Sequence, residues 1–191
     1  MKNQLYRRIL MRNSKPEIDG VKFIQNFTKM HPDQRGHFIE VFKKSKLEQY
    51  GLPEFKQINT SFSKKDVVRG LHYQTGDKAQ GKLVQCLSGH IIDVVVDIDP
   101  NSRNYKRVEI YNLTPGQGAV YCPPNVAHGF WARQDSSILY ACTEEYAPGS
   151  EGGINPLDRG LVLPWLNEQT QFIISAKDRA LLPVGETPCP H

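Results

Sequence analysis

The chain has 191 residues and a mass of 21.7 kDa, enough for one well-buried domain and short for two. Its net charge of +4 rests on basic pairs scattered along the chain (Arg7-Arg8, Lys43-Lys44, Lys64-Lys65) and not on one stripe interleaved with aromatics, which argues against a nucleic-acid partner and leaves room for a small anion such as a diphosphate. Met1 to Ile24 carries charge and polarity throughout and no apolar run approaches the ~20 residues of a membrane span, while Cys86, Cys122, Cys142 and Cys189 form no Cys-x-x-Cys pair; a cytoplasmic, reducing setting without a zinc site or a disulfide framework is expected.

Short β-rich segments follow one another from the N-terminus, with 15 glycines and 13 prolines supplying turns between them. The predicted strands are Val21–Asn26, His37–Val41, Lys56–Ser63, Val67–Gln74, Lys82–Leu87, His90–Ile98, Lys106–Asn112, Ala119–Cys122, Ala127–Ala132 and Ser137–Thr143. Turn signals separate them at Asp33–Gly36, Ser88-Gly89, Asp99–Asn101, Thr114–Gly116 and Pro123–Asn125. Helices are expected only at Lys43–Tyr50 and Ser175–Leu182. The tract His90–Ile98 is nearly all β-branched, and its Asp93 and Asp97, four apart, fall on one strand face, read as lining a polar cavity. One domain with a core over about 20–182 and loosely ordered ends accounts for the whole chain.

Among the six histidines, His72 and His128 stand in apolar, strand-like settings beside or near glycine, and the others fit surface or turn positions. The chain has no His-x-His pair and no His-Glu-x-x-His, so His72 and His128 alone would leave a transition metal under-ligated. Neither a Gly-x-Ser-x-Gly elbow nor a cysteine in a reactive context is present. Acid–base chemistry by His, Tyr, Lys and carboxylate remains, without a metal or other cofactor.

Seven motifs narrow this further: Asp33–Glu40 (DQRGHFIE), Gln57–Ser63 (QINTSFS), Val68–Gln74 (VRGLHYQ), Gly81–Val84 (GKLV), Ala127–Phe130 (AHGF), Glu145–Pro148 (EYAP) and Ser175–Ala180 (SAKDRA). In kind and order they resemble the dTDP-4-dehydrorhamnose 3,5-epimerase family, over roughly residues 20 to 182. The resemblance implies an all-β, double-stranded β-helix or cupin-like jelly roll with short terminal helices.

It also implies a mechanism. A ketone at C4 of a nucleotide-linked 4-keto-6-deoxyhexose acidifies the hydrogens on C3 and C5, so inversion needs a base on one face, charge stabilisation at the C4 oxygen and an acid on the other face. By resemblance His72 is the base, Asp158 its carboxylate partner, Lys82 the cation near the keto oxygen and Tyr140 the proton donor. Taken singly, Lys82 also fits a solvated charge at a strand start, Tyr140 a core aromatic and Asp158 a turn residue. Substrate binding falls to Arg35, Phe38, Glu40, Gln57, Asn59, Arg69, His128, Tyr146, Glu151 and Lys177, with arginine forks for the diphosphate and amides for the base edge. Gly81 and Trp131 depart from the family's pattern and are read as reshaping the pocket. A homodimer is implied as well, its N-terminal strands exchanged so that Arg35 to Glu40 reach the partner's site. The rival readings are an epimerase of C3 or C5 alone, one using a GDP- or CDP-linked sugar, a non-catalytic cupin-fold sugar-nucleotide binder, and a metal-dependent cupin oxygenase.

Overall fold

A computed structural model describes residues 16–187; the basic pair Arg7-Arg8, Cys189 and the outermost ends lie outside the described residues. Twelve strands form the body: β1 (Lys22–Gln25), β2 (Met30–Asp33), β3 (Gly36–Ile39), β4 (Gln57–Ser63), β5 (Val68–Gln74), β6 (Lys82–Ser88), β7 (Ile91–Asp97), β8 (Val108–Leu113), β9 (Gly118–Cys122), β10 (Val126–Ala132), β11 (Ser136–Cys142) and β12 (Glu151–Gly153). Two antiparallel five-stranded sheets result, one in the order β1-β9-β6-β11-β4 and the other β12-β5-β10-β7-β8, with β2 and β3 standing apart as a hairpin. The interleaved strand order is that of a jelly roll, the all-β architecture the sequence predicts.

The pleat decides what each strand contributes. On β7, Ile92, Val94 and Val96 enter the core on the outer side of the second sheet, under the Ile154–Trp165 segment, while Ile91 and Val95 enter the core between the sheets. Both faces are buried, which is why this tract lacks polar alternation. On the first sheet, Val84, Cys86, Val120, Cys122 and Ile138 point between the sheets, whereas Leu83, Ala119, Tyr121 and Ala141 pack outward beneath Leu47 of helix α1 (Lys44–Gln49). By the same period of two, Lys82, Tyr140, Asn59 and Gln57 face inward from the first sheet, and His72, His128 and Asp93 from the second.

One irregularity brings Arg69 onto that inner face too. His128 pairs with His72 but Phe130 pairs with Arg69, so the β5–β10 register slips across Gly70 and Gly129. Residues three apart on a regular strand face opposite ways; the slip turns Arg69 and His72 to the same side. The two glycines allow the strands to meet: a Cβ on Gly70, whose φ is +114°, would lie 2.6 Å from Gly129 Cα and 2.8 Å from the His128 carbonyl. Gly70→Ala is therefore expected to lower stability by about 3 kcal/mol, combining backbone strain with an overpacked contact, and a urea titration with unchanged m-value checks it.

Three expectations need correction. Strand β2 is absent from the predicted set because Pro32 and His31 mask it, and β12 because it is the glycine-bearing Glu151–Gly153. The C-terminal helix spans only Ala176–Arg179 (α2), short of the expected Leu182. Asp97 does not line a cavity: its carboxylate accepts from Asp99 N and Ser102 Oγ and ties the turn that follows β7.

Candidate active site

Between the sheets, beyond the apolar packing, lies a cavity of about 510 Å³ lined by Ser61, Arg69, His72, Lys82, His128, Phe130, Tyr140, Ser175, Lys177 and Asp178, among others. A second hollow of about 340 Å³ shares His72, Lys82 and Tyr140 and continues along Gln57, Asn59, Gln74, Tyr146 and Glu151. His72 and Tyr140 thus stand on opposite walls, on β5 of one sheet and β11 of the other. Lys82, on β6 beside Tyr140's strand, reaches across so that its Nζ lies 3.5 Å from the His72 carbonyl.

The carboxylate that serves His72 is Asp178, not Asp158. Asp178 Oδ1 lies 2.8 Å from His72 Nε2, with the two side chains 6% and 29% exposed. The chain after Gln171 lies along β5, with Val68 N donating to the Ile173 carbonyl, and then turns into α2. There Ser175 caps the helix by accepting from Asp178 N at 3.0 Å, which fixes the carboxylate over His72 and within 3.4 Å of Gly70 N. Burial pushes the Asp178 carboxyl up, but the bonds from His72, Gly70 N and Ser175 outweigh it and hold the group below the usual carboxylate range. Asp158 is a turn residue: Oδ1 accepts from Gly160 N at 2.7 Å and Oδ2 from Val184 N at 2.8 Å. Asp178 lies within the SAKDRA motif, so its presence was legible, but Ser175-x-x-Asp178 reads equally well as a helix start.

The other groups are tuned by the same interior. Burial raises the Tyr140 hydroxyl, with Arg69 opposing, so the phenol keeps its proton at neutral pH. Burial lowers the Lys82 ammonium. The thiols beside it, Cys142 and Cys122, are themselves pushed up by burial and stay uncharged, which leaves Glu151 and Asp93 as the carboxylates that favour the charged lysine.

Gln57, Asn59 and Ser61 alternate along β4 and face the two hollows. Gln57 Nε2 donates to Asn59 Oδ1 at 2.9 Å. Ser61, not among the sequence candidates, has a buried Oγ without a hydrogen-bond partner among the described residues. Tyr146 OH and Lys177 Nζ both donate to Glu151 Oε2, at 2.7 and 2.6 Å, which gathers three expected binding residues at the mouth. Arg35, Phe38 and Glu40 line neither hollow. Arg35 pairs with Asp33 on the exposed β2–β3 hairpin, Glu40 is exposed beside Lys43, and Phe38 is 66% exposed. Trp131 points outward against Phe172, away from the cavity.

His128 Nε2 lies 2.6 Å from Asp93 Oδ1, both buried. Ligand-capable atoms of Asp93, Cys122 and His128 lie within 4.8 Å of one another, a grouping that sequence spacing does not reveal. The Lys82 ammonium, which shares this interior, opposes a divalent cation there. Among the described residues no helix is long and apolar enough to cross a membrane.

An imidazole with its carboxylate on one wall, a protonated phenol on the other and a lysine between them are groups that can take and deliver protons on opposite faces of one bound molecule, chemistry that suits a jelly-roll isomerase. The family model for dTDP-4-dehydrorhamnose 3,5-epimerase matches residues 15–186. The chain is 38% identical to the dTDP-4-dehydrorhamnose 3,5-epimerase of Methanothermobacter thermautotrophicus over 178 residues, 91% of this chain and 95% of that one. It is 31% identical to the dTDP-4-dehydrorhamnose 3-epimerase of Streptomyces niveus, over 88% of each. The crystal structure of dTDP-6-deoxy-D-glucose-3,5-epimerase from Legionella pneumophila, in complex with dTDP-4-keto-L-rhamnose, superposes with a TM-score of 0.80 at 36% identity, covering 89% of this chain and 90% of that one. The chain belongs to the dTDP-4-dehydrorhamnose 3,5-epimerase family.

Proposed function

We propose that this chain is an epimerase of dTDP-4-keto-6-deoxyhexoses that inverts C3 and C5 and so converts dTDP-4-dehydro-6-deoxy-D-glucose to dTDP-4-dehydro-L-rhamnose. The observation that carries it is the placing of His72 with Asp178 on one wall and Tyr140 on the facing wall of a single cavity. His72 removes the proton next to the ketone, and Asp178 holds the ring and offsets the imidazolium charge that forms. Charge that moves to the C4 oxygen meets Lys82, whose ammonium, weakened by burial, is a ready donor. Tyr140 delivers a proton to the opposite face, and that change of face is the inversion. The test is incubation with dTDP-4-keto-6-deoxy-D-glucose in heavy water, followed by NMR: deuterium with inversion at C3 and C5 is expected, reaction at one carbon makes it a single-site epimerase, and exchange at neither removes the reading.

In this reading the nucleotide lies along Gln57, Asn59 and Tyr146, with Arg69 and Lys177 toward the diphosphate, in one domain over about 20–182 working in the cytoplasm. Arg35, Phe38 and Glu40 act on a second copy. Their exposed hairpin stands clear of its own cavity, while β4, an edge strand, presents Ile58 and Phe62 outward at 52% and 58% exposure, a surface suited to a partner's strand. Mixing Arg35→Ala with His72→Ala subunits tests this. If Arg35 reaches across, half of a statistical mixture is mixed dimers, each with one intact site, and roughly a quarter of wild-type activity returns. No recovery places Arg35 in its own subunit's site or outside any.

A further inference from the structure

The proposed chemistry leaves one buried titratable pair unused. Asp93 is fully buried in the middle of β7, and its Oδ2 has no hydrogen-bond partner among the described residues. A carboxylate in that setting is costly unless its neighbour needs it. That neighbour is His128, which stands directly opposite His72 in the β5–β10 ladder. Two imidazoles therefore sit side by side on one wall, each with its own carboxylate: His72's arrives on α2, and His128's is built into a central strand.

His128 lines the cavity and Asp93 does not. The 2.6 Å contact places one hydrogen between Asp93 Oδ1 and His128 Nε2, and with the carboxylate as acceptor that hydrogen is on Nε2. Nδ1 is the ring's other polar atom, and it has no hydrogen-bond partner among the described residues. In a neutral ring with Nε2–H, Nδ1 is an acceptor.

We propose that Asp93 is a positioning residue that locks His128 in the Nε2–H tautomer, so that Nδ1 accepts from the substrate hydroxyl on C3 and the pair serves inversion at C3 in particular. This rests on the 4-keto-6-deoxyhexose reading. Of the two carbons beside the ketone, C3 bears a hydroxyl, whereas C5 bears a methyl group and the ring oxygen and offers no donor. An acceptor fixed in the wall can therefore orient the C3–H bond toward His72 while having no partner at C5.

Two measurements on the intact protein test it. In two-bond proton–nitrogen spectra of protein labelled with nitrogen-15 histidine, the signals lost in His128→Gln should show the Nε2–H tautomer in the wild type. In Asp93→Asn, whose amide can donate as well as accept, Nδ1–H should appear. In heavy water, Asp93→Asn should slow deuterium uptake from dTDP-4-keto-6-deoxy-D-glucose at C3 by about tenfold more than at C5, the loss of one well-placed hydrogen bond, with dTDP affinity unchanged. His128→Gln should show the same preference for C3, which guards against a variant that simply folds poorly. An Nδ1–H tautomer in the wild type, or equal slowing at both carbons in both variants, overturns the assignment. Absence of exchange at either carbon in the wild type sinks the epimerase reading and this assignment with it, an outcome distinct from the variant results.

Discussion

His72→Ala should reduce deuterium uptake at both C3 and C5 by about 10³- to 10⁴-fold, the range for loss of a positioned general base, while dTDP affinity stays near that of the wild type. The two effects separate because the nucleotide side of the hollow is built by Gln57, Asn59, Tyr146 and Glu151, none of which depends on the imidazole for its contacts. Loss at both carbons is the informative part, since of the two cavity-lining histidines His72 is the more open, its side chain 29% exposed against 10% for His128, and so the one placed to receive a substrate proton. Asp178→Asn should cost less, about 10²-fold, because the ring remains and only its orientation and the stabilisation of its charged form are lost. The same variant has a pH signature in stability. The Asp178 carboxyl is held below its unfolded value, so its contacts contribute above the unfolded value of about 3.9, and that contribution disappears as pH falls through the lower folded value. Wild type should thus exceed Asp178→Asn in urea resistance at pH 7, and the gap should close in strong acid. A gap that persists there would mean that Asp178 acts through packing and not through charge.

How far such a site is legible before the chain is folded differs from residue to residue. The strands carrying His72, Lys82, His128 and Tyr140 announce themselves through β-branched runs and glycine- or proline-rich turns, and the structure places all four around one cavity, two on each wall. The partner of His72 is a different kind of problem. Asp158 and Asp178 both lie beyond the last strand, and nothing local marks which of them folds back over β5; the Ser175 cap orients Asp178 locally, but the parallel bridge from Val67 to Ile173 that carries it there is a tertiary fact. Asp93 and Asp97 look equivalent on their strand, yet Asp97 stands at the edge of a turn that uses its carboxylate and the Asp93 carboxylate meets an imidazole. The β5–β10 slip that turns Arg69 inward depends on two glycines far apart in the chain meeting in space, which no single-strand pattern encodes.

Tyr140→Phe should separate exchange from inversion. The ring keeps its place against the core between the sheets, so substrate binding and removal of the proton by His72 continue, and only the hydroxyl that serves the opposite wall is gone. Burial holds that hydroxyl protonated in the wild type, so it is available as a donor and not as a base at neutral pH. Without it, a proton taken by His72 can return only from His72's own side, and deuterium then enters with retained configuration. The expectation is inversion slowed by about 10²-fold or more while exchange falls much less, read by NMR as deuterated substrate that has kept its original stereochemistry. Uptake and inversion falling together would instead make Tyr140 part of substrate orientation. Inversion at the wild-type rate would move the acid elsewhere in the cavity, with Lys82, another proton donor on Tyr140's sheet, the next group to replace.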